Sequence, residues 1–144
     1  GLEKRILFPG RTKDVPSWLA VFDAFLLTSR IEGLPNVLIE AQSAGVPVIS
    51  TVAGGSPETF MDGITGYLSA SDDPDDLAKA VSLILQDSKW RHHAAGESSD
   101  FVRENFDVDT MSDNYAEAYS KLIGDSHKRW MESRTIMDRL LMRS

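Results

Sequence analysis

Short apolar runs alternate with helical stretches over the first half of the chain. Two of these runs, "RILFPG" at residues 5–10 and "AFLLTS" at residues 24–29, are mainly apolar. Such runs are typical of strands in a parallel sheet that is covered on both faces. We therefore predict buried strands at these two runs, and further strands at residues 47–51 and 65–69.

Helical patterns separate the predicted strands. Residues 14–23 combine an aspartate cap and an early proline with apolar residues at helical spacing. The stretch 35–45 places Pro35 at a first helical position and Gly45 where a left-handed C-cap is expected. Beyond them a brief helix is predicted at Ser56, and longer helices are predicted from residue 75 and over residues 88–104 and 108–142.

This alternation predicts the fold class. Strands and helices in this order favour a right-handed, doubly wound parallel sheet. The expected class is α/β, with a Rossmann-like parallel sheet flanked by helices. Residues 1–124 form the predicted domain, and residues 125–144 form a predicted C-terminal amphipathic helix.

Composition and charge exclude several classes of protein. With 144 residues, of which 42% are hydrophobic and 26% charged, the chain has the composition of one globular domain. The net charge of −7 argues against non-specific nucleic-acid binding, which needs a basic surface. No cysteine is present, so disulfides and thiolate sites are excluded. The sequence has no apolar run of about 18 residues. We therefore expect a soluble, cytoplasmic protein.

Two carboxylates flank a predicted helix start at the carboxyl end of a predicted strand. Glu32 precedes the turn, and Glu40 lies inside the helix. Ligands of open parallel sheets bind at this edge, where helix amides form an anion site. Pro35 has no N–H, so the donors for a diphosphate are the amides of Leu34, Asn36 and Val37. Carboxylates accept hydrogen bonds from hydroxyls, which suggests a nucleotide-sugar site with Glu32 toward the sugar and Glu40 toward the ribose.

The same residues resemble a known family. The Glu32 and Glu40 pair with seven residues between, followed by "AQSAGVPVIS", "GGSPE" and "DGITGYL", is similar to the C-terminal donor-binding domain of retaining glycosyltransferases with the GT-B fold, family four. Among them the chain is most similar to enzymes of surface-polysaccharide assembly. The resemblance is specific over residues 5–68 and extends in outline to residue 123.

The resemblance implies roles for individual residues. Glu32 would contact the donor sugar as the catalytic residue, Glu40 would bind the ribose, and amides of the loop between them would hold the phosphates. Pro35 stands where the family usually has glycine. The implied donor-binding residues are Glu32, Gly33, Leu34, Asn36, Val37 and Glu40, with Gly10, Arg11, Gly54 and Gly55 as further candidates. A glycine turn before Ser-Pro-Glu is also a common helix start, so Gly54 and Gly55 have a structural alternative.

The resemblance also implies partners. The donor would be a nucleotide diphosphate sugar, with neither a cofactor nor a metal required. The acceptor-binding half of such enzymes is absent from this sequence, as is a βα segment whose arginine and lysine neutralise the diphosphate. Only Arg11, Lys13 and Arg30 could substitute for them, and we expect the chain alone to be inactive.

The tail carries a separate prediction. Four apolar residues fall near one helical face among basic residues, namely Trp130, Met137, Leu140 and Leu141. In GT-B enzymes the C-terminal helix crosses to the other half. We expect self-association through this face. Contact of the basic side with the inner face of the membrane is the weaker alternative.

Two other functions remain open. A sugar-nucleotide epimerase shares this fold, although the spacing of the two glutamates favours the transferase. A non-catalytic phospholigand-binding or receiver-type signalling module would have clustered acids after its first strand, and residues 5–10 contain none. Glu32 and Glu40 also have a purely structural interpretation, in which Glu32 is an ordinary acidic residue before a helix and Glu40 is a solvated residue within it.

Overall fold

The computed structural model describes residues 1–70 and 72–141, with side chains as far as residue 126. A short 3₁₀ helix, Ser56–Glu58, lies between the second and third strands. The other elements, in chain order, are α1 (Val15–Leu19), β1 (Phe25–Leu27), α2 (Asn36–Ser43), β2 (Val48–Thr51), β3 (Gly66–Ser69), α3 (Pro74–Gln86), α4 (Ser88–Phe106) and α5 (Val108–Leu141).

The three strands form one parallel sheet in the order β1-β2-β3. Phe25 lies opposite Val48, and Ile49 lies opposite Tyr67. All four residues of β2 are buried, as expected for the central strand of a covered sheet. The predicted α/β class, a Rossmann-like parallel sheet flanked by helices, is confirmed.

Apolar side chains pack against both faces of the sheet. Successive residues of a strand point to opposite faces, so Val48 and Ile49 belong to different layers. Val48 packs in a cluster with Leu19, Leu38, Ala41, Val46 and Phe60. Ile49 packs with Leu77 and Ile84 of α3. Helices α1 and α2 therefore cover one face, and α3 covers the other.

The predicted strand at residues 5–10 is wrong. The segment belongs to no regular element, and Ile6, Leu7 and Phe8 are 49%, 73% and 87% exposed. The amides of Arg5 and Ile6 donate back to the carbonyl of Leu2 in a turn. A strand needs a neighbouring strand for its backbone groups. The described residues supply none here, so apolar composition alone does not make a strand.

Local signals mark the ends of α2 and the start of α3. Gly45 has the left-handed conformation that was predicted, with φ +72°. Pro35 is the N-cap of α2, one position before the first helical residue. Asp73 caps α3, because its Oδ1 accepts from the amide of Asp75 at 2.8 Å. Helix α1 is shorter than predicted and ends at Leu19.

The chain divides into two compact units, one of residues Gly1–Glu104 and one that begins at Asn105. The division after residue 124 stays a prediction, and α5 is continuous across that position. The apolar side chains from Trp130 onward, on which the expected self-association rests, lie outside the described side chains. None of the helices within residues 1–70 and 72–141 is long and apolar enough to cross a membrane.

Candidate functional site

Two loops lie side by side at the carboxyl edge of the sheet. The β1–α2 loop, residues 28–35, connects the first strand to α2, and the glycine loop, residues 52–55, follows β2. Parallel neighbouring strands bring the loops that follow them to the same edge. The predicted residues Glu32, Gly33, Gly54 and Gly55 come together here.

The start of α2 carries unsatisfied amides. Pro35, the N-cap, makes no side-chain cap hydrogen bond, and the amide of Leu38 donates to its carbonyl at 3.0 Å. Within the described part of the chain, the amides of Leu34, Asn36 and Val37 have no partner. Free amides at a helix N-terminus favour an anion, because the helix dipole adds a partial positive charge there.

The two glutamates have different surroundings. Glu32 is half-buried in the β1–α2 loop, whereas Glu40 is exposed on α2. Glu40 is among the residues that line a groove of about 520 Å³ between α1 and α2. The other lining residues are Val15, Pro16, Leu19, Ser43 and Ala44. The groove is thus mainly apolar, with one carboxylate and one hydroxyl in its wall.

Sequence reasoning did not find this groove. Ser43 and Ala44 follow Glu40 at helical spacings of three and four residues, which is a signal for a shared face. The contributions of Val15, Pro16 and Leu19 carry no such signal. They depend on how α1 packs against α2.

Helix α2 is held in place by a buried polar network. Gln42, which is fully buried, donates from Nε2 to the carbonyl of Thr59 at 2.5 Å and to that of Leu38 at 3.1 Å. The hydroxyl of Thr65 donates to Gln42 Oε1 at 3.0 Å and accepts from the amide of Met61. These bonds connect the helix that carries Glu40 to the segment before β3.

Basic groups near the loops are few. Arg30 Nε lies 3.7 Å from Asp72 Oδ2, and both side chains are largely exposed. Exposed ion pairs contribute at most about 1 kcal/mol, so Arg30 can leave this partner at small cost. Gly10, Arg11 and Lys13 are exposed in the segment before α1. Within the described part of the chain, these three residues form no hydrogen bond or ion pair with Glu32 or Glu40.

No metal site is formed among the residues that the structure describes, since no group of three histidine, aspartate or glutamate side chains could hold an ion. His93 Nε2 lies 4.0 Å from Glu97 Oε1, and both side chains are well exposed. This pair lies on the surface of α4 and lacks a third ligand.

The fold and this edge of the sheet define an α/β domain with the architecture of GT-B glycosyltransferases. Residues 1–87 match the family model described as glycosyl transferases group 1. The chain belongs to this family.

Individual relatives agree with that assignment. The chain is 41% identical over 114 residues to the Vi polysaccharide biosynthesis protein VipC/TviE of Salmonella typhi, covering 77% of this chain and 20% of the relative. It is 33% identical to the N-acetyl-alpha-D-glucosaminyl L-malate synthase of Bacillus anthracis, covering 86% of this chain and 32% of that protein. The chain therefore spans about a fifth to a third of the length of these relatives.

Solved structures show the same fold. Anabaena Alr3699/HepE in complex with UDP superposes with a TM-score of 0.79 at 30% identity, covering 84% of this chain and 34% of that one. The same protein in complex with UDP-glucose gives a TM-score of 0.73. The sucrose-phosphate synthase of Thermosynechococcus elongatus gives 0.77 at 25% identity, covering 86% of this chain and 32% of that one.

Proposed function

We propose that this chain is the donor-binding part of a retaining glycosyltransferase of family four, which moves a hexosyl group from a nucleotide diphosphate sugar to an acceptor in surface polysaccharide or glycan biosynthesis. The observation that carries this proposal is the set of free amides at the start of α2, a helix that follows Glu32 along the chain and contributes Glu40 to the groove wall. Each part of the donor has a candidate partner in this arrangement.

The diphosphate is assigned to the amides of Leu34, Asn36 and Val37. Three backbone donors and the helix dipole favour the anion. Glu32 and Glu40 oppose it, so a basic side chain is needed nearby. Arg30 is the candidate in the β1–α2 loop, since its exposed ion pair with Asp72 is weak.

The nucleoside is assigned to the groove between α1 and α2. Its volume of about 520 Å³ lies in the range of roughly 300–1,000 Å³ that is usual for small-ligand sites. Apolar walls from Val15, Pro16 and Leu19 suit the face of a base, and the Glu40 carboxylate suits the ribose hydroxyls. Gly10 and Arg11, upstream of Val15, remain candidates for contact with the base.

Glu32 is assigned to the transferred sugar as the catalytic residue. In the proposed retaining chemistry, the leaving diphosphate stays on the acceptor's face of the sugar. The protein then acts mainly by orienting the sugar and stabilising the developing charge. No metal or cofactor is assigned to these steps.

Support for the donor comes from relatives. Anabaena Alr3699/HepE has been captured with UDP and with UDP-glucose. The family match favours this function over the epimerase and signalling alternatives. The chain covers about a third or less of these relatives. We therefore propose that the acceptor-binding half lies elsewhere in a longer protein and that this chain alone is inactive. We also propose that the enzyme acts in the cytoplasm.

Binding experiments on Glu40→Ala test the proposal. We would titrate UDP, GDP, ADP and inorganic pyrophosphate into the wild-type chain and the variant by calorimetry. One charge-assisted hydrogen bond is worth about 1.5–3 kcal/mol, which corresponds to about a 10- to 150-fold loss of nucleotide affinity. Removal of a negative charge would by itself strengthen anion binding, so pyrophosphate should bind the variant at least as well as it binds the wild type.

Glu104→Ala is the matched control. Glu104 is an exposed glutamate on α4, and its loss makes the same change in net charge. Equal nucleotide affinity of Glu40→Ala and Glu104→Ala would refute the assignment of Glu40 to the ribose. If no nucleotide binds the wild-type chain, the proposed donor site is wrong for this chain.

A further inference from the structure

The glycine loop after β2 is in direct contact with the backbone of the β1–α2 loop. Gly54 has φ +51°, and a Cβ added there would lie 1.9 Å from the carbonyl oxygen of Glu32. A Cβ added at Gly55 would lie 2.7 Å from the carbonyl oxygen of Gly33. No side chain fits at either position, because the neighbouring loop already occupies the space.

The two loops are also joined by hydrogen bonds at both ends of the contact. The amide of Gly55 donates to the carbonyl of Gly33 at 2.6 Å. The hydroxyl of Thr51 donates to the carbonyl of Ser29 at 2.5 Å. The β1–α2 loop is therefore fixed against the end of β2 and the glycine loop, rather than by its own contacts alone.

The bond from Gly55 determines where one free amide points. In a trans peptide the C=O and the following N–H point in opposite directions, and no cis peptide occurs in the described chain. Because the Gly33 carbonyl faces Gly55, the N–H of Leu34 faces away from the glycine loop. Leu34 N–H is one of the three free amides assigned to the diphosphate.

We infer that Gly54 and Gly55 are positioning residues, which hold the Gly33–Leu34 peptide so that the Leu34 N–H is aimed at the donor diphosphate. The inference rests on the proposed function and gives these glycines a role other than direct contact with the donor. A hydrogen bond weakens steeply when its length or angle departs from the ideal. A shift of about 1 Å in this peptide would therefore remove one of the phosphate contacts.

Gly54→Ala and Gly63→Ala form a matched pair for the test. Both glycines have positive φ, +51° and +77°, so alanine strains the backbone at each. An added Cβ at Gly63 meets nothing within 4 Å, whereas at Gly54 it meets the Glu32 carbonyl. Any effect seen in Gly54→Ala alone thus comes from the contact between the loops.

Two measurements are made on both variants. The first is the NMR scalar coupling across the hydrogen bond from Gly55 N–H to the Gly33 carbonyl, together with the amide shift of Leu34. The second is the affinity for UDP, GDP and ADP. We expect Gly54→Ala to lose the coupling, to move the Leu34 shift and to bind the preferred nucleotide at least tenfold more weakly. Gly63→Ala should retain all three.

Several outcomes would overturn the inference. One is a coupling and a Leu34 shift that Gly54→Ala preserves, and another is a lost coupling with unchanged nucleotide affinity. If Gly54→Ala does not fold, Thr51→Val removes the bond to the Ser29 carbonyl without adding bulk. It should then also disturb the Leu34 shift and weaken nucleotide binding, and an unchanged shift and affinity would count against the inference. Absence of nucleotide binding by the wild type would refute the proposed function. The scalar coupling from Gly55 N–H to the Gly33 carbonyl would still show whether Gly54 and Gly55 fix the position of the β1–α2 loop.

Discussion

Gln42 is the residue whose replacement tests most directly how α2 is held in place. Its side chain is fully buried and forms three hydrogen bonds, two of which lead outside α2 to Thr59 and Thr65. Gln42→Leu keeps a side chain of similar size but removes the amide. The carbonyl of Thr59 then loses its side-chain donor, and the hydroxyl of Thr65 loses its acceptor.

The expected cost follows from these two groups. Each buried polar group left unsatisfied costs about 1–3 kcal/mol, so Gln42→Leu should lower the free energy of unfolding by about 2–6 kcal/mol. This is a large fraction of the roughly 5–15 kcal/mol that is usual for a domain. At roughly 3 °C for each kcal/mol in a chain of this size, Tm should fall by about 6–18 °C.

Urea unfolding followed by circular dichroism measures the change, with Gln86→Leu as the control. Gln86 is the exposed last residue of α3, and surface substitutions of this kind usually change stability by less than about 0.5 kcal/mol. A loss below about 1 kcal/mol for Gln42→Leu would refute the argument that the network holds α2.

Three further predictions concern α3 and the contacts around it. Asp73→Ala removes the cap of α3 and should cost about 0.5–2 kcal/mol in urea unfolding, and an unchanged midpoint would contradict this role. Trp90→Phe removes the indole bond to the carbonyl of Gly63, 3.2 Å long, and should lower the free energy of unfolding by about 0.5–1.5 kcal/mol; no loss would mean that the bond is not needed. The hydrogen bond to Asp76 raises the pKa of Lys79. The Lys79–Asp76 pair therefore stabilises the folded state below the ordinary lysine pKa, and this stabilisation is lost as pH rises through the raised pKa of Lys79. An NMR titration in which Asp76→Asn leaves the Lys79 pKa unchanged would contradict this.

Local signals in the sequence predicted some elements well for identifiable reasons. Pro35 and Gly45 bracket α2 because their backbone preferences act within a few residues, whatever the rest of the chain does. The mainly apolar run at residues 47–51 predicted a strand, and β2 lies there with all four of its residues buried. Residues 5–10 have the same kind of composition, yet a strand also needs a neighbour, and that requirement cannot be read from the segment itself.

The candidate site shows the same division between local and tertiary information. Glu32 and Glu40 were found from their spacing around a helix start, which is a local pattern. The groove beside Glu40 was not found, because Val15 and Leu19 reach it through the packing of α1. The contact between Gly54 and the Glu32 carbonyl was also missed. It depends on the packing of the two loops, and glycine has no side chain from which such a contact could be predicted.

Pro35 connects these observations. A helix presents four unpaired amides at its start, and at α2 the proline removes the one at the N-cap. The amide of Leu38 donates to the carbonyl of Pro35, so only Asn36 and Val37 remain free in the first turn. A diphosphate bound there would need another donor, and the Leu34 amide is the nearest along the chain. The direction of that amide is set by the bond from Gly55 to Gly33. Under the proposed function, the proline in the β1–α2 loop therefore makes donor binding more dependent on the glycine loop after β2.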